Sequence, residues 1–73
     1  MKVTEIFKLK KHGQVIVFNP AVELENVLKT IVRTDGQIWN VRKVEKFSHS
    51  TLVSAIAIDV SPPINLNDEF EFL

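Results

Sequence analysis

The sequence predicts an all-β fold, a small closed or partly open antiparallel β-barrel of five to six strands. Three observations carry this. Short runs rich in valine, isoleucine and phenylalanine recur along the 73 residues. Each run is bounded by Gly, Pro, Asn, Asp or Ser, which punctuate strands. Five or six strands in so short a chain would leave many unpaired edges unless the sheet closed on itself. No linker, repeat or low-complexity tract interrupts the pattern, so residues 1–73 read as one domain.

The first strand is expected from Val3 to Lys10. Alternation puts Val3, Glu5, Phe7 and Leu9 on one side and Thr4, Ile6, Lys8 and Lys10 on the other, and Phe7 is assigned to the core. Lys11-His12-Gly13-Gln14 turns the chain, with Gly13 free to adopt a positive φ. Val15-Ile16-Val17-Phe18 is apolar on both faces and reads as the most buried strand, with Val15 and Val17 in the core.

Asn19 and Pro20 could begin a helix, because Asn caps and Pro suits the first helical position. Leu24, Val27, Leu28 and Ile31 fall at helical spacing. Against this, Val27, Thr30, Ile31 and Val32 favour strands. Residues 20–26 therefore read as a loop with room for one helical turn, and Val27 to Arg33 as a strand.

Thr34-Asp35-Gly36-Gln37 is an Asp-Gly hairpin turn, with positive φ expected at Gly36. Ile38 to Phe47 follows as a long strand carrying the sole tryptophan, Trp39. Ser48 to Thr51 makes a further turn. Leu52 to Val60 alternates, with Leu52, Ile56, Ile58 and Val60 on one face and Val53, Ala55 and Ala57 on the other. Ser61-Pro62-Pro63 ends it, since proline cannot donate to a ladder. Asn67-Asp68 leads into a last strand, Glu69 to Phe72, with Phe70 and Phe72 inward.

A chain of this size hides only about 60% of its unfolded surface, which leaves a net stability of roughly 3–5 kcal/mol. Cysteine is absent, so disulfides and thiolate metal sites are excluded. His12 and His49 lack metal-ligand spacing. A tightly packed barrel remains, or one that also leans on a partner. The missing cysteine suits a reducing compartment, no signal-peptide pattern opens the chain, and Leu52 to Ile58 is too short to cross a bilayer. A cytoplasmic location is expected, with no membrane partner and no cofactor.

Nine basic residues balance nine acidic ones. All nine basic residues lie within 1–46, against five acids there, a surplus of four. Residues 47–73 hold four acids and no lysine or arginine. A neutral chain lacks the positive excess of a dedicated nucleic-acid binder.

Phe7-Lys8-Leu9-Lys10-Lys11-His12-Gly13-Gln14-Val15-Ile16-Val17 resembles the aromatic-led strand, glycine turn and valine-rich strand of the β-barrel second domain of translational GTPases. Val41 to Phe47, Leu52 to Val60 and Ile64 to Phe70 are similar to that domain's later strands and closing turn. The resemblance spans most of the chain as a pattern of strand types. It implies a small barrel that contacts RNA or other domains and performs no chemistry. No run here resembles a phosphate-binding loop.

Ser48, His49 and Asp59 or Asp68 could supply a nucleophile, a base and an orienting acid, but no glycine-framed nucleophile motif accompanies them. Glu69 and Glu71 read as solvating charges on an edge strand. The Asp35-Gly36 hairpin is more informative. A two-residue turn places Val32 opposite Trp39 and Lys29 opposite Arg42, like charges that an anionic partner would relieve. A three-residue turn with a glycine bulge places Val32 opposite Ile38, Ile31 opposite Trp39 and Lys29 opposite Val41, and is expected to expose Trp39.

Lys29, Arg33, Trp39 and Arg42 are the candidate partner-binding residues. The expected function is a non-enzymatic interaction module, a protein-binding regulator or small subunit whose partner is another protein or a second copy. The alternative is an RNA- or DNA-binding barrel using Lys8, Lys10, Lys11, Arg33, Arg42 and Lys43 near Trp39.

Overall fold

Strand-forming residues on both sides of two glycine turns let neighbouring stretches of the chain pair as hairpins. A computed structural model describes residues 1–9, 11, 13–46 and 49–73. The expectations placed on Lys10, His12, Phe47 and Ser48 fall outside the described residues. The strands are β1 (Lys2–Leu9), β2 (Gly13–Glu23), β3 (Thr30–Arg33), β4 (Ile38–Glu45), β5 (Leu52–Ile58) and β6 (Phe70–Phe72), with one 3-10 turn at Leu24–Asn26. They form one antiparallel sheet in the order β1-β2-β5-β4-β3-β6. The sheet curls until its two outer strands meet at one end. Val3 N donates to Asp68 O at 2.9 Å, Asn67 N to Val3 O at 2.8 Å, and Phe70 N to Met1 O at 2.9 Å. The expected all-β fold, a closed or partly open antiparallel barrel of five to six strands, is found as a six-stranded, curled half-barrel.

Several boundaries differ from expectation. β2 runs on through Pro20 to Glu23, where a loop was expected, and the one helical turn occupies residues 24–26. β3 starts at Thr30 rather than Val27, and β5 stops at Ile58. There Asp59 Oδ2 accepts hydrogen bonds from the Asn40 backbone N–H and from its Nδ2. Both anticipated glycine conformations occur, with φ of +90° at Gly13 and at Gly36.

The core is Val3, Ile16, Phe18, Ile31, Trp39, Val53, Ile56, Ile58, Ile64 and Phe70. Phe18, Phe70 and Phe72 meet edge to face, with ring centroids 5.3–6.0 Å apart. Three assigned core residues lie elsewhere. Phe7 is 51% exposed, and Val15 and Val17 are only partly buried. For Phe7 the cause is a bulge between Val3 and Glu5. One extra residue on β1 shifts the alternation, so Val3 and then Ile6 point inward and Phe7 points out. On β2 the inward set is Gln14, Ile16 and Phe18, which leaves Val15 and Val17 on the outer side.

The one fully buried polar side chain among the described residues, Gln14, organises the barrel's floor. Its Nε2 donates to Asp59 O at 3.0 Å and to Pro62 O at 3.3 Å. Trp39 Nε1 donates to the same Pro62 carbonyl at 2.6 Å. Two strands thereby grip the loop that carries Ile64 into the core.

Gly13 is needed twice over, for its φ and because a Cβ there would stand 2.0 Å from Ile58 O. Gly13→Ala is therefore expected to unfold the domain or nearly so, and Trp39→Ala to cost about 3–5 kcal/mol. Phe7→Ala should cost less than about 1 kcal/mol, as a surface change does. Urea denaturation of the three variants checks the ranking; equal losses at Phe7 and Trp39 would refute these face assignments.

Candidate functional site

The Asp35-Gly36 hairpin has the three-residue turn. Val32 pairs with Ile38, Ile31 with Trp39 and Thr30 with Asn40. Arg33 N donates to Gln37 O at 2.9 Å, and Gly36 N to Arg33 O at 2.8 Å, which closes the turn. Lys29 O accepts from Val41 N, so Lys29 faces Val41 and the direct Lys29–Arg42 opposition does not form. The expected consequence of this register is reversed. Trp39 keeps the inner position, 1% exposed, and β3 supplies the matching inward Ile31.

Arg33 is tied into the fold. Its Nε and Nη2 grip both Asp35 oxygens at 3.1 and 2.9 Å, and Nη1 reaches Asp68 Oδ2 at 2.9 Å. Its guanidinium carbon stands 5.1 Å from the centre of the Trp39 ring. Asp68 Oδ2 also accepts Asn65 N. Arg33 thus links the hairpin turn to the segment that closes the barrel. The side-chain hydrogen bond from Arg33 holds the Asp35 carboxyl below its ordinary range, and the Asp35 bond in turn raises Arg33. Of the four candidate contact residues, Trp39 is interior, Arg33 is engaged with two aspartates, and Lys29 and Arg42 are exposed.

Arg42 belongs to a different surface. A bulge between Val41 and Lys43 puts it at the outer side of β4. With Leu9, Lys43, Glu45 and Ala57 it lines a groove of about 360 Å³. A second groove of about 220 Å³ lies beyond Glu45, among Val17, Lys46, Leu52, Ser54 and Ala55. Both sit on the outer face of β1-β2-β5-β4. Register aligns Phe7, Val15, Ala57 and Lys43 in one row across the four strands, and Glu5, Val17, Ala55 and Glu45 in the next. Phe7, Leu9 and Leu52 are 42–51% exposed on or beside it. Small alanines on β5 let the flanking side chains stand proud, which forms the valley. The signal is present in the sequence in Val15 to Phe18, apolar on both faces, but alternation alone does not show that one of those faces borders the surface.

Of the candidate nucleophile, base and acid, Ser48 lies outside the described residues. Asp59 is taken by Asn40 and Asp68 by Arg33, while His49 is an exposed turn residue at φ +69°. No group of three His, Cys, Asp or Glu among the described residues could hold a metal ion. No described helix is long and apolar enough to cross a membrane. Neither a family model, nor a curated protein, nor a solved structure matches the chain.

The ion pair makes an acid-sensitive contribution. Asp35 has a lowered folded pKa, so the stability it brings is present above the unfolded aspartate value and is lost as pH falls through the folded one. Arg33 is charged throughout that window. Melting temperatures of the parent and Asp35→Asn should therefore differ at neutral pH and converge on acidification below about pH 4, the ordinary aspartate range. A gap that persists unchanged to about pH 2, well below that range, would show that Asp35 acts by something other than its charge.

Proposed function

We propose that this domain is a non-catalytic protein-interaction module of the cytoplasm and that it docks through the outer face of β1-β2-β5-β4. The observation that carries the reading is the composition of that face. Phe7, Leu9 and Leu52 are exposed and Val15, Val17 and Ala55 half-buried in an apolar strip above the buried Ala57, with Arg42, Lys43, Glu45 and Lys46 along one side. An apolar centre with a mixed-charge rim is the anatomy of a protein contact surface. The interior is packed with Trp39 and the Phe18, Phe70 and Phe72 rings, which leaves the outer surface to carry contacts. The strand-type resemblance to the translational GTPase barrel, a domain that makes contacts and does no chemistry, supports the same reading.

Lys29, Arg42 and Lys43 favour no long basic track, because Lys43 already faces Glu45 at 3.4 Å. A photoreactive phenylalanine analogue at position 7 tests the proposal in cells of the natural host. Specific protein adducts are expected at position 7 and absent when the analogue replaces Glu71, which lies on β6 outside this face. Adducts that vanish on nuclease treatment, or that form equally from position 71, would reject a protein-docking face.

A further inference from the structure

The two outward rows of this face end in opposite charges on β4. Lys43 ends the row Phe7, Val15, Ala57, and Glu45 ends the adjacent row Glu5, Val17, Ala55. We infer that the occupant of this face is a second copy of the chain, related by a two-fold axis that lies in the interface, across the strands and between the two rows. The inference rests on reading this face as a docking surface and goes on to name what docks.

A two-fold interface uses the same patch on both copies, so a residue i that meets j is matched by j meeting i. With the axis across the strands, each row lies on the other row of the partner copy. Val15 then meets Val17 and Lys43 meets Glu45, each pairing occurring twice, above the buried Ala57. Arg42 and Lys46, one residue outside the two rows, come opposite each other, so the charge match is confined to the Lys43–Glu45 pairs. Phe7 lies against Glu5 at the opposite rim. With the axis along the strands, Glu45 would meet Glu5 and Lys43 would meet Phe7, so like charges oppose and a lysine loses its carboxylate. Complementary charge selects register and rejects the wrong one. Packed sheets cross at about 30°, an offset that the long Lys43 and Glu45 side chains can span.

Within one copy Lys43 and Glu45 are an exposed pair, with side chains 70% and 43% accessible. Such a pair holds its partners weakly and can exchange them. Strands about 4.8 Å apart and rows of residues rising about 3.3 Å give four strands a face roughly 20 Å across. That footprint lies at the small end of specific interfaces, below about 1,200 Å² in total. The dimer is accordingly expected to dissociate in the micromolar range. Self-association also supplies what a chain of this size, without disulfides, otherwise lacks.

Sedimentation velocity of the full chain from about 1 to 500 µM, a range that brackets micromolar dissociation, reads the result directly. Mass should rise with concentration from 8.3 kDa towards twice that value. Lys43→Glu and Glu45→Lys, both at exposed positions, should each weaken association at least about tenfold while leaving the circular dichroism spectrum unchanged. Mixing the two single variants should restore it. One chain then carries glutamate at both positions and the other lysine at both, so every cross-copy pairing of these two positions is again of opposite charge. The double exchange in one chain should restore it as well. A parent that stays at 8.3 kDa throughout overturns the inference, and so do single variants that associate like the parent. Adducts to a different protein at position 7 would leave the docking face standing while removing the second copy from it. A monomeric parent that retards a labelled single-stranded RNA on a native gel overturns it in favour of nucleic acid.

Discussion

Trp39 is the side chain on which the rest of the barrel is arranged. Its ring is the largest side chain buried in the core, its indole N–H is spent on the Pro62 carbonyl, and Arg33 lies over its face. Each of these contacts recruits another element. Pro62 brings the loop with Ile64, and Arg33 brings Asp35 from the turn and Asp68 from the closing segment. A buried tryptophan needs a partner for its N–H, and the carbonyl that serves it is also held by Gln14. A small barrel with no covalent staple is thus locked by one large ring whose polar edge is fully used.

Bulges decide which residues the lock can enclose. One between Val3 and Glu5 brings Ile6 inward and releases Phe7, and another between Val41 and Lys43 lets Val44 follow Val41 onto the core side. The pairing of β2 with β5 breaks between Val17 and Val22. Val53 and Ile56 both reach the interior although strict alternation separates them. Strong local twist is what such irregularities supply. It is also what six short strands need in order to curl back upon themselves.

The same geometry separates two kinds of charge. Arg33, Asp35 and Asp68 are structural, fixed by hydrogen bonds at the end where the barrel closes. Arg42, Lys43 and Glu45 are peripheral, set along an apolar valley floored by alanine. Among the described basic residues, Arg33 thus holds the fold together, while Arg42, Lys43 and Lys46 edge a surface.

The sequence by itself determined the strand-rich class, the two glycine turns, the Asp-Gly hairpin and the inward Phe70. These depend on neighbours within a few residues: a β-branched run, a residue free to take positive φ, a proline that stops a ladder. Only the tertiary structure decided which hairpin register holds, that Phe7 faces out, that Arg33 is engaged and that Trp39 is buried. A single inserted residue inverts every side chain beyond it. Whether that residue is accommodated depends on what lies across the barrel, from Asp68 to Ile58, far away in the chain. Alternation shows that a strand has two faces, and the closure of the sheet settles which of them meets water.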